Sequence, residues 1–278
     1  MNRFRIRQAM PKSRRARLAV PALLCALLAA GGCSLPQQTA PVSHDRVAAF
    51  PAAASLTVGY DSPGKGQDAD AAFLRESRTM EDLADRINSD FLLPAPITIT
   101  GTSCGAPDAY YDPAQSGITI CYEYVRDARD GFTSQGAEDV DGKVLGLLTE
   151  TVFHEAGHAL IDKLALPITG REEDVADQFA AYMLIGTDME PRLRGALADY
   201  ERRAEAPGGN IVHPSDEHSP NGQRSGNYRC YLYGAAPDRN SDLVDGTWLT
   251  EDRAQMCGDT WHKLQAGLDN LLDEHRAA

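Results

Sequence analysis

One short segment of the sequence carries residues that could do hydrolytic chemistry, His154-Glu155-Ala156-Gly157-His158. Two histidines four positions apart share one face of an α-helix, so both imidazoles can point at the same metal ion. Glu155 follows the first histidine and can lie beside a metal-bound water, which is the position of a general base in metal-assisted hydrolysis. The alternative interpretation is a surface helix without a metal. We expect a metal site with His154 and His158 as ligands.

A catalytic zinc ion needs a third protein ligand and one open coordination position. One class of metalloprotease provides a histidine six residues after the second one, but Leu164 occupies that position here, which excludes the class. The other main class uses a glutamate from a following helix, and Glu172, Glu173 and Asp174 compete for that role. Only Glu173 has a carboxylate one turn further on, at Asp177, which could accept the distal N–H of a ligand histidine. A solvated acidic helix start is the alternative.

Two helices joined by a short turn would bring these residues together. Lys143–Leu164 has the apolar period of a buried helix, and Glu172–Ile185 follows a turn that contains proline and glycine. The strongest strand signal is Ile118–Val125. The pattern predicts an α+β fold over 56–278, with a small antiparallel or mixed sheet packed on the histidine helix. The other expected elements are a strand at Leu56–Tyr60, helices at 70–90, Arg192–Glu205 and Asp252–His275, and loops at Gly101–Gly117, Arg126–Gly142 and Pro207–Asn227.

Residues outside the two motifs could assist the same reaction. His218 or His213, in the loop after the helices, could donate a hydrogen bond to the oxyanion formed during hydrolysis, and Arg224 and Tyr228 are further candidates. A loop histidine exposed to solvent is the alternative for both histidines. Of these residues, His218 is predicted to be catalytic. Ile118–Val125 could be an edge strand that pairs with an extended peptide, or an ordinary core strand.

The N-terminus has the composition of an export signal. Residues 1–32 combine basic residues with an apolar stretch, Leu18–Ala30, that is too short to span a membrane. The small residues before Cys33 resemble the lipobox of bacterial lipoproteins, whose cysteine carries the lipid; an ordinary signal peptide cut nearby is the alternative. Residues 33–55 are rich in Pro, Gln and Ala, which is typical of a flexible tether. We expect an exported protein, anchored to the bacterial membrane through Cys33 and facing the periplasm.

The cysteines agree with an oxidising compartment. Four lie in the predicted domain, Cys104, Cys121, Cys230 and Cys257, and an even number in an exported chain predicts two disulfides. Three connectivities are possible, and buried free thiols are the alternative. We favour Cys104–Cys121 and Cys230–Cys257, because each bond closes a short loop.

The charge of the chain excludes one class of partner. The sequence holds 27 basic and 40 acidic residues, a net charge of −13. Residues 1–32 contain seven of the basic residues and no acidic one, so the rest of the chain has a net charge of −20. Nucleic-acid binding needs clusters of Lys and Arg to neutralise phosphates. We therefore expect no nucleic-acid partner and no charge attraction to an anionic membrane. The sequence does not indicate an oligomeric state.

The spacing of the metal motif resembles the glutamate zincins, in which HExxH is followed by ExxxD or ExxAD, here Glu173–Asp177. The chain more closely resembles an uncharacterised bacterial family of metallopeptidases, through the segments HEAGHALID, GREEDVADQFAA, ICYE and DEHS, over residues 56–274. The resemblance implies a single zincin-like domain, a Zn²⁺ cofactor and a peptide or protein substrate, with Glu155 as general base. The rivals are a non-catalytic envelope lipoprotein that keeps zinc for stability or binding, and a hydrolase acting on something other than a protein.

Overall fold

The computed structural model describes residues 54–209, 211 and 215–277, which form a small sheet surrounded by helices. This architecture confirms the predicted α+β class. The strands are β1 (Leu56–Tyr60), β2 (Ile97–Thr102), β3 (Ala109–Asp112) and β4 (Gly117–Cys121). The α-helices are α1 (Asp68–Ser77), α2 (Thr79–Asp90), α3 (Tyr122–Ser134), α4 (Val140–Lys163), α5 (Glu172–Leu184), α6 (Leu193–Glu205), α7 (Asn221–Ala235), α8 (Glu251–Ala254) and α9 (Cys257–Leu272).

The sheet is mixed, and its strand order places β4 in the interior. The order is β1-β2-β4-β3, in which β1, β2 and β4 are parallel and β3 is antiparallel to β4. Ile118 pairs with Ile99 of β2 on one side and with Tyr111 of β3 on the other. Because both sides of β4 are already paired, it cannot add a peptide strand. The hypothesis that Ile118–Val125 is a substrate-binding edge is therefore wrong, and the edges of this sheet are β1 and β3.

The chain passes directly from β4 into a helix, where the sequence predicted a longer strand and an acidic loop. The expected strand Ile118–Val125 stops at Cys121, and most of the expected loop Arg126–Gly142 lies in α3 and the start of α4. Burial of one face of α3 against the core outweighs the strand propensity of its first residues. The buried residues of α3 lie three or four positions apart: Tyr122, Val125, Ala128 and Phe132.

Two other expected helices are each divided in two. The predicted helix over 70–90 breaks at Arg78, which has a φ of 55° and separates α1 from α2. The expected helix Asp252–His275 is divided into α8 and α9. Neither break contains glycine or proline, so no local residue pattern marks it. In addition, β3 and the start of α7 fall within the expected loops Gly101–Gly117 and Pro207–Asn227.

Helix α4 is the central element of the core. Most of its residues are buried, and it packs against β3, β4, α5 and α6. Glycine permits two of these approaches. A Cβ added to Gly146 would lie 2.8 Å from Cα of Gly195 in α6, and one added to Gly157 would lie 3.0 Å from Cα of Ala176 in α5. The second approach brings the start of α5 against the histidine turn of α4.

Both favoured cysteine pairs are joined in the structure. The Sγ atoms of Cys104 and Cys121 lie 2.02 Å apart, and those of Cys230 and Cys257 lie 1.99 Å apart. The first bond ties the segment before β3 to the end of β4. The second ties α7 to the first residue of α9. The structure therefore agrees with the two local disulfides, and not with free thiols or a crossed pairing.

The N-terminal predictions concern residues that the structure does not describe. The signal at 1–32, the lipidation candidate Cys33 and all but the last two residues of the tether at 33–55 lie outside the described residues. Across the part of the chain that is described, no helix combines the length and the apolar character needed to cross a bilayer.

Candidate metal centre

One turn of α4 presents three polar side chains from a largely apolar helix. His154 and His158 are nearly buried, and their Nε2 atoms lie 3.2 Å apart. Glu155, between them in sequence, is also buried. Because α4 is packed on several sides, this turn is a rigid support for the two rings.

Helix α5 brings a third donor to the two histidines. Oε2 of Glu173 lies 3.1 Å from Nε2 of His154 and 3.3 Å from Nε2 of His158. The close contact between α4 and α5 at Gly157 permits this, because any side chain there would press on Ala176. Of the three acids that compete at the start of α5, Glu173 is the one whose carboxylate reaches both imidazoles.

Each histidine uses its other ring nitrogen to contact a carboxylate. Nδ1 of His154 lies 2.8 Å from Oδ1 of Asp177, and Nδ1 of His158 lies 2.8 Å from Oε1 of Glu172. An ionised carboxylate only accepts hydrogen bonds, so each Nδ1 carries a hydrogen and each Nε2 is left to face a metal. The contact of Asp177 with a histidine was predicted from its position one turn after Glu173. The sequence did not predict that Glu172 contacts His158. Glu172 is half-exposed, and acidic residues are common in the first turn of a helix even where they have no other role.

The three donor atoms fit a tetrahedral metal site. Donors at about 2.0–2.1 Å from a tetrahedral zinc ion lie about 3.3–3.4 Å from one another. The separations among Nε2 of His154, Nε2 of His158 and Oε2 of Glu173 are 3.1, 3.2 and 3.3 Å. Burial alone would lower the pKa of His154, but hydrogen bonds to Asp177 and Glu173 raise it to about 10. Without a cation the cluster therefore holds a proton, which a metal ion would displace.

A nearly buried arginine, Arg224, in turn binds Asp177. Nε of Arg224, from α7, donates to Oδ2 of Asp177 at 2.8 Å, and its Nη2 donates to Oδ1. Burial alone would raise the pKa of Asp177, but the charge of Arg224 and the hydrogen bond to His154 lower it to about 2. Arg224 was a candidate for oxyanion binding. Its guanidinium instead binds the carboxylate that orients a histidine.

A second buried carboxylate, Glu150, lies one turn before His154 on α4. Tyr200 and Tyr228 donate their hydroxyl hydrogens to Oε1 of Glu150 at 2.8 and 2.6 Å, and Nη2 of Arg224 lies 3.7 Å from the same oxygen. Tyr228 is almost fully buried, so it does not serve as the oxyanion donor considered for it. The sequence did contain one signal for this network, because Glu150 is a charged residue in an apolar stretch, four positions before the first histidine.

An open cavity of about 380 Å³ lies beside the histidine turn. His154, Glu155 and His218 line it, together with Asp108 and Ala109 at the start of β3. Burial raises the pKa of the Glu155 carboxyl above its usual value. This moves the carboxylate toward the basicity of an effective general base near neutral pH. A substrate in the cavity would meet His154 and Glu155 together.

His218 lies against the metal donors. Its Nε2 is 2.9 Å from Oε2 of Glu173, and its ring centroid is 6.1 Å from that of His154. The structure therefore brings the predicted catalytic histidine into the site. His213, the other loop candidate, lies outside the described residues.

Comparison with known proteins places the site within a family. Residues 60–272 match a family described as "Putative metallopeptidase". No curated protein and no solved structure shows a significant match to the chain. The matched range contains both donor helices, His218 and both disulfides, and it covers well over half of the sequence. The chain therefore belongs to this family of metallopeptidases.

Proposed function

We propose that the protein is a zinc-dependent peptidase with His154, His158 and Glu173 as the metal ligands. The observation that carries this proposal is that two imidazole nitrogens and one carboxylate oxygen converge at tetrahedral separations, with Glu155 in the adjoining cavity. Two nitrogens and one oxygen are a typical ligand set of catalytic zinc, whereas structural zinc is mostly held by cysteines. Membership of a metallopeptidase family supports the same conclusion.

The residues around the donors have different roles in hydrolysis. When bound, zinc would acidify a water molecule and polarise the substrate carbonyl. Glu155 takes the proton of the attacking water and passes it to the leaving amine. Asp177 and Glu172 keep the two imidazoles oriented. The guanidinium of Arg224 keeps Asp177 ionised.

We assign peptide binding to the edge strand β3. No other described strand pairs with its outer side. Its first residue, Ala109, lines the cavity together with Glu155. An extended peptide can add to such an edge through backbone hydrogen bonds. A peptide bound there would present a carbonyl group to the histidine turn of α4, which packs against β3.

The metal content and the activity of the purified protein test this proposal together. We expect about one zinc ion per chain by elemental analysis. We also expect cleavage of an unfolded protein substrate such as casein, loss of cleavage with a chelator, and recovery when zinc is restored. Zinc without cleavage would favour the rival function, a non-catalytic envelope lipoprotein, although such a protein has no use for Glu155. Absence of zinc would contradict the proposal.

We further propose that a lipid on Cys33 anchors the protein to a bacterial membrane on its periplasmic side. The small residues before Cys33 and the short apolar stretch of the signal support an anchor, and two disulfides fit an oxidising compartment. Replacing the cysteine, Cys33→Ser, should move the protein from the membrane to the soluble envelope fraction. Fractionation of cells followed by immunoblotting measures this. Wild-type protein in the soluble fraction would contradict the anchor.

A further inference from the structure

Three imidazole nitrogens, and not only two, surround one carboxylate oxygen of Glu173. Nε2 of His154, His158 and His218 lie 3.1, 3.3 and 2.9 Å from Oε2 of Glu173. Neighbouring donors around one tetrahedral zinc ion are separated by about 3.3 Å. The separation between His218 and Glu173 is therefore within a few tenths of an ångström of that expected of two donors to one ion. Ligand atoms of His154, Glu173 and His218 all lie within 4.8 Å of one another.

The turn that carries His218 is attached to the helix that carries Glu173. Oγ of Ser219 donates to Oδ1 of Asp174 at 2.6 Å, and Ser219 is buried. On the other side, Nη1 of Arg171 donates to the backbone carbonyl of Glu217 at 3.4 Å. Both neighbours of His218 thus contact α5 or the residue before it. The position of the imidazole beside the donors follows from these contacts.

His218 differs from the other two histidines in how easily it can leave the site. Its side chain is 50% exposed, compared with 5% for His154 and 12% for His158. Nδ1 of His218 lies 3.7 Å from the nearest oxygen of Asp216, which is too far for a hydrogen bond. The other two rings have a carboxylate at 2.8 Å from Nδ1. An exposed ring whose Nδ1 has no such orienting bond to a described residue can move at little cost.

We propose that His218 is a fourth protein ligand of the metal in the resting protein, and that it leaves when substrate enters the cavity. A catalytic metal needs an open position, which four protein ligands do not provide. After a short displacement, the N–H of the same imidazole can donate to the oxyanion, which is the role predicted from the sequence. The inference rests on the proposed zinc site, but its test does not require that any peptide be cleaved.

The test compares wild-type protein with His218→Ala by three metal measurements. Cobalt(II) can replace zinc as a spectroscopic probe, and its visible absorption depends on the donor set. The variant should show a changed cobalt spectrum, because a water molecule replaces an imidazole nitrogen. Its zinc affinity, measured by competition with a chelator, should fall. Removing the hydrogen-bond partner of a metal ligand lowers the affinity roughly 10- to 100-fold, and removing a ligand should lower it at least as much. Azide should bind the cobalt variant more tightly, because the fourth position is no longer blocked.

His262→Ala is the matched control, since it removes an exposed imidazole from α9. It should leave all three measurements unchanged. A His218→Ala protein with the cobalt spectrum and azide affinity of the wild type would overturn the inference and leave the zinc-peptidase proposal standing. A wild-type protein that binds neither zinc nor cobalt would overturn both.

Discussion

Replacing Glu155 by glutamine is expected to abolish hydrolysis while the zinc content stays the same. Glutamine has nearly the size of glutamate, but it cannot take the proton of the attacking water. Loss of a general acid–base group typically slows a reaction by roughly 10²- to 10⁴-fold, so kcat should fall by that factor. Zinc should remain, because the three converging donor atoms belong to His154, His158 and Glu173. Peptide hydrolysis and elemental analysis of the same preparation measure both effects.

Glu138→Gln is the matched control, because it makes the same change at an exposed position just before α4. It should keep full activity and full zinc content. A Glu155→Gln protein with wild-type activity would refute the proposed mechanism. A Glu155→Gln protein without zinc would show that Glu155 holds the metal site together rather than carrying the proton.

Replacing Arg224 by methionine is expected to lower the free energy of unfolding by roughly 3–5 kcal/mol, the usual cost of removing one partner of a buried ion pair. The variant removes the guanidinium that binds Asp177 and lies 3.7 Å from Glu150. Both carboxylates are buried, so they would be left without their cation. Urea unfolding followed by circular dichroism measures the loss.

Two further variants separate the orienting role of Arg224 from a general effect on stability. Arg86→Met makes the same substitution at the partly exposed pair with Asp90 and should cost less than about 1 kcal/mol. Arg224→Lys keeps the charge but not the two-point contact, so its stability should be intermediate. Its zinc affinity should still fall, since Asp177 orients His154. An Arg224→Met protein as stable as Arg86→Met would contradict this account.

The grouping of the candidate site residues could be predicted because it depends on spacings within single helices. His154 and His158 share one face of α4, and Glu173 and Asp177 lie one turn apart on α5. Helical periodicity by itself puts each pair on one side, whatever the rest of the fold does. The two local disulfides, which span 17 and 27 positions, were accessible for a similar reason. Short loops leave few other partners within reach.

Contacts between elements were decided by tertiary packing. Glu172 reaches His158 across 14 positions, and Arg224 reaches Asp177 across 47. The first contact depends on how α5 packs against α4, and the second on how α7 packs against α5. No pattern in the local sequence predicts how these helices pack against one another.

The extent and order of the strands also depend on tertiary contacts that the local sequence does not predict. Ile118–Val125 has the residue types of a strand, but burial against the core turns its second half into a helix. The short strand β3 forms by pairing with β4 and so takes the edge position. Whether a strand is an edge depends on its neighbours in the sheet, and the residues of one strand do not specify those neighbours.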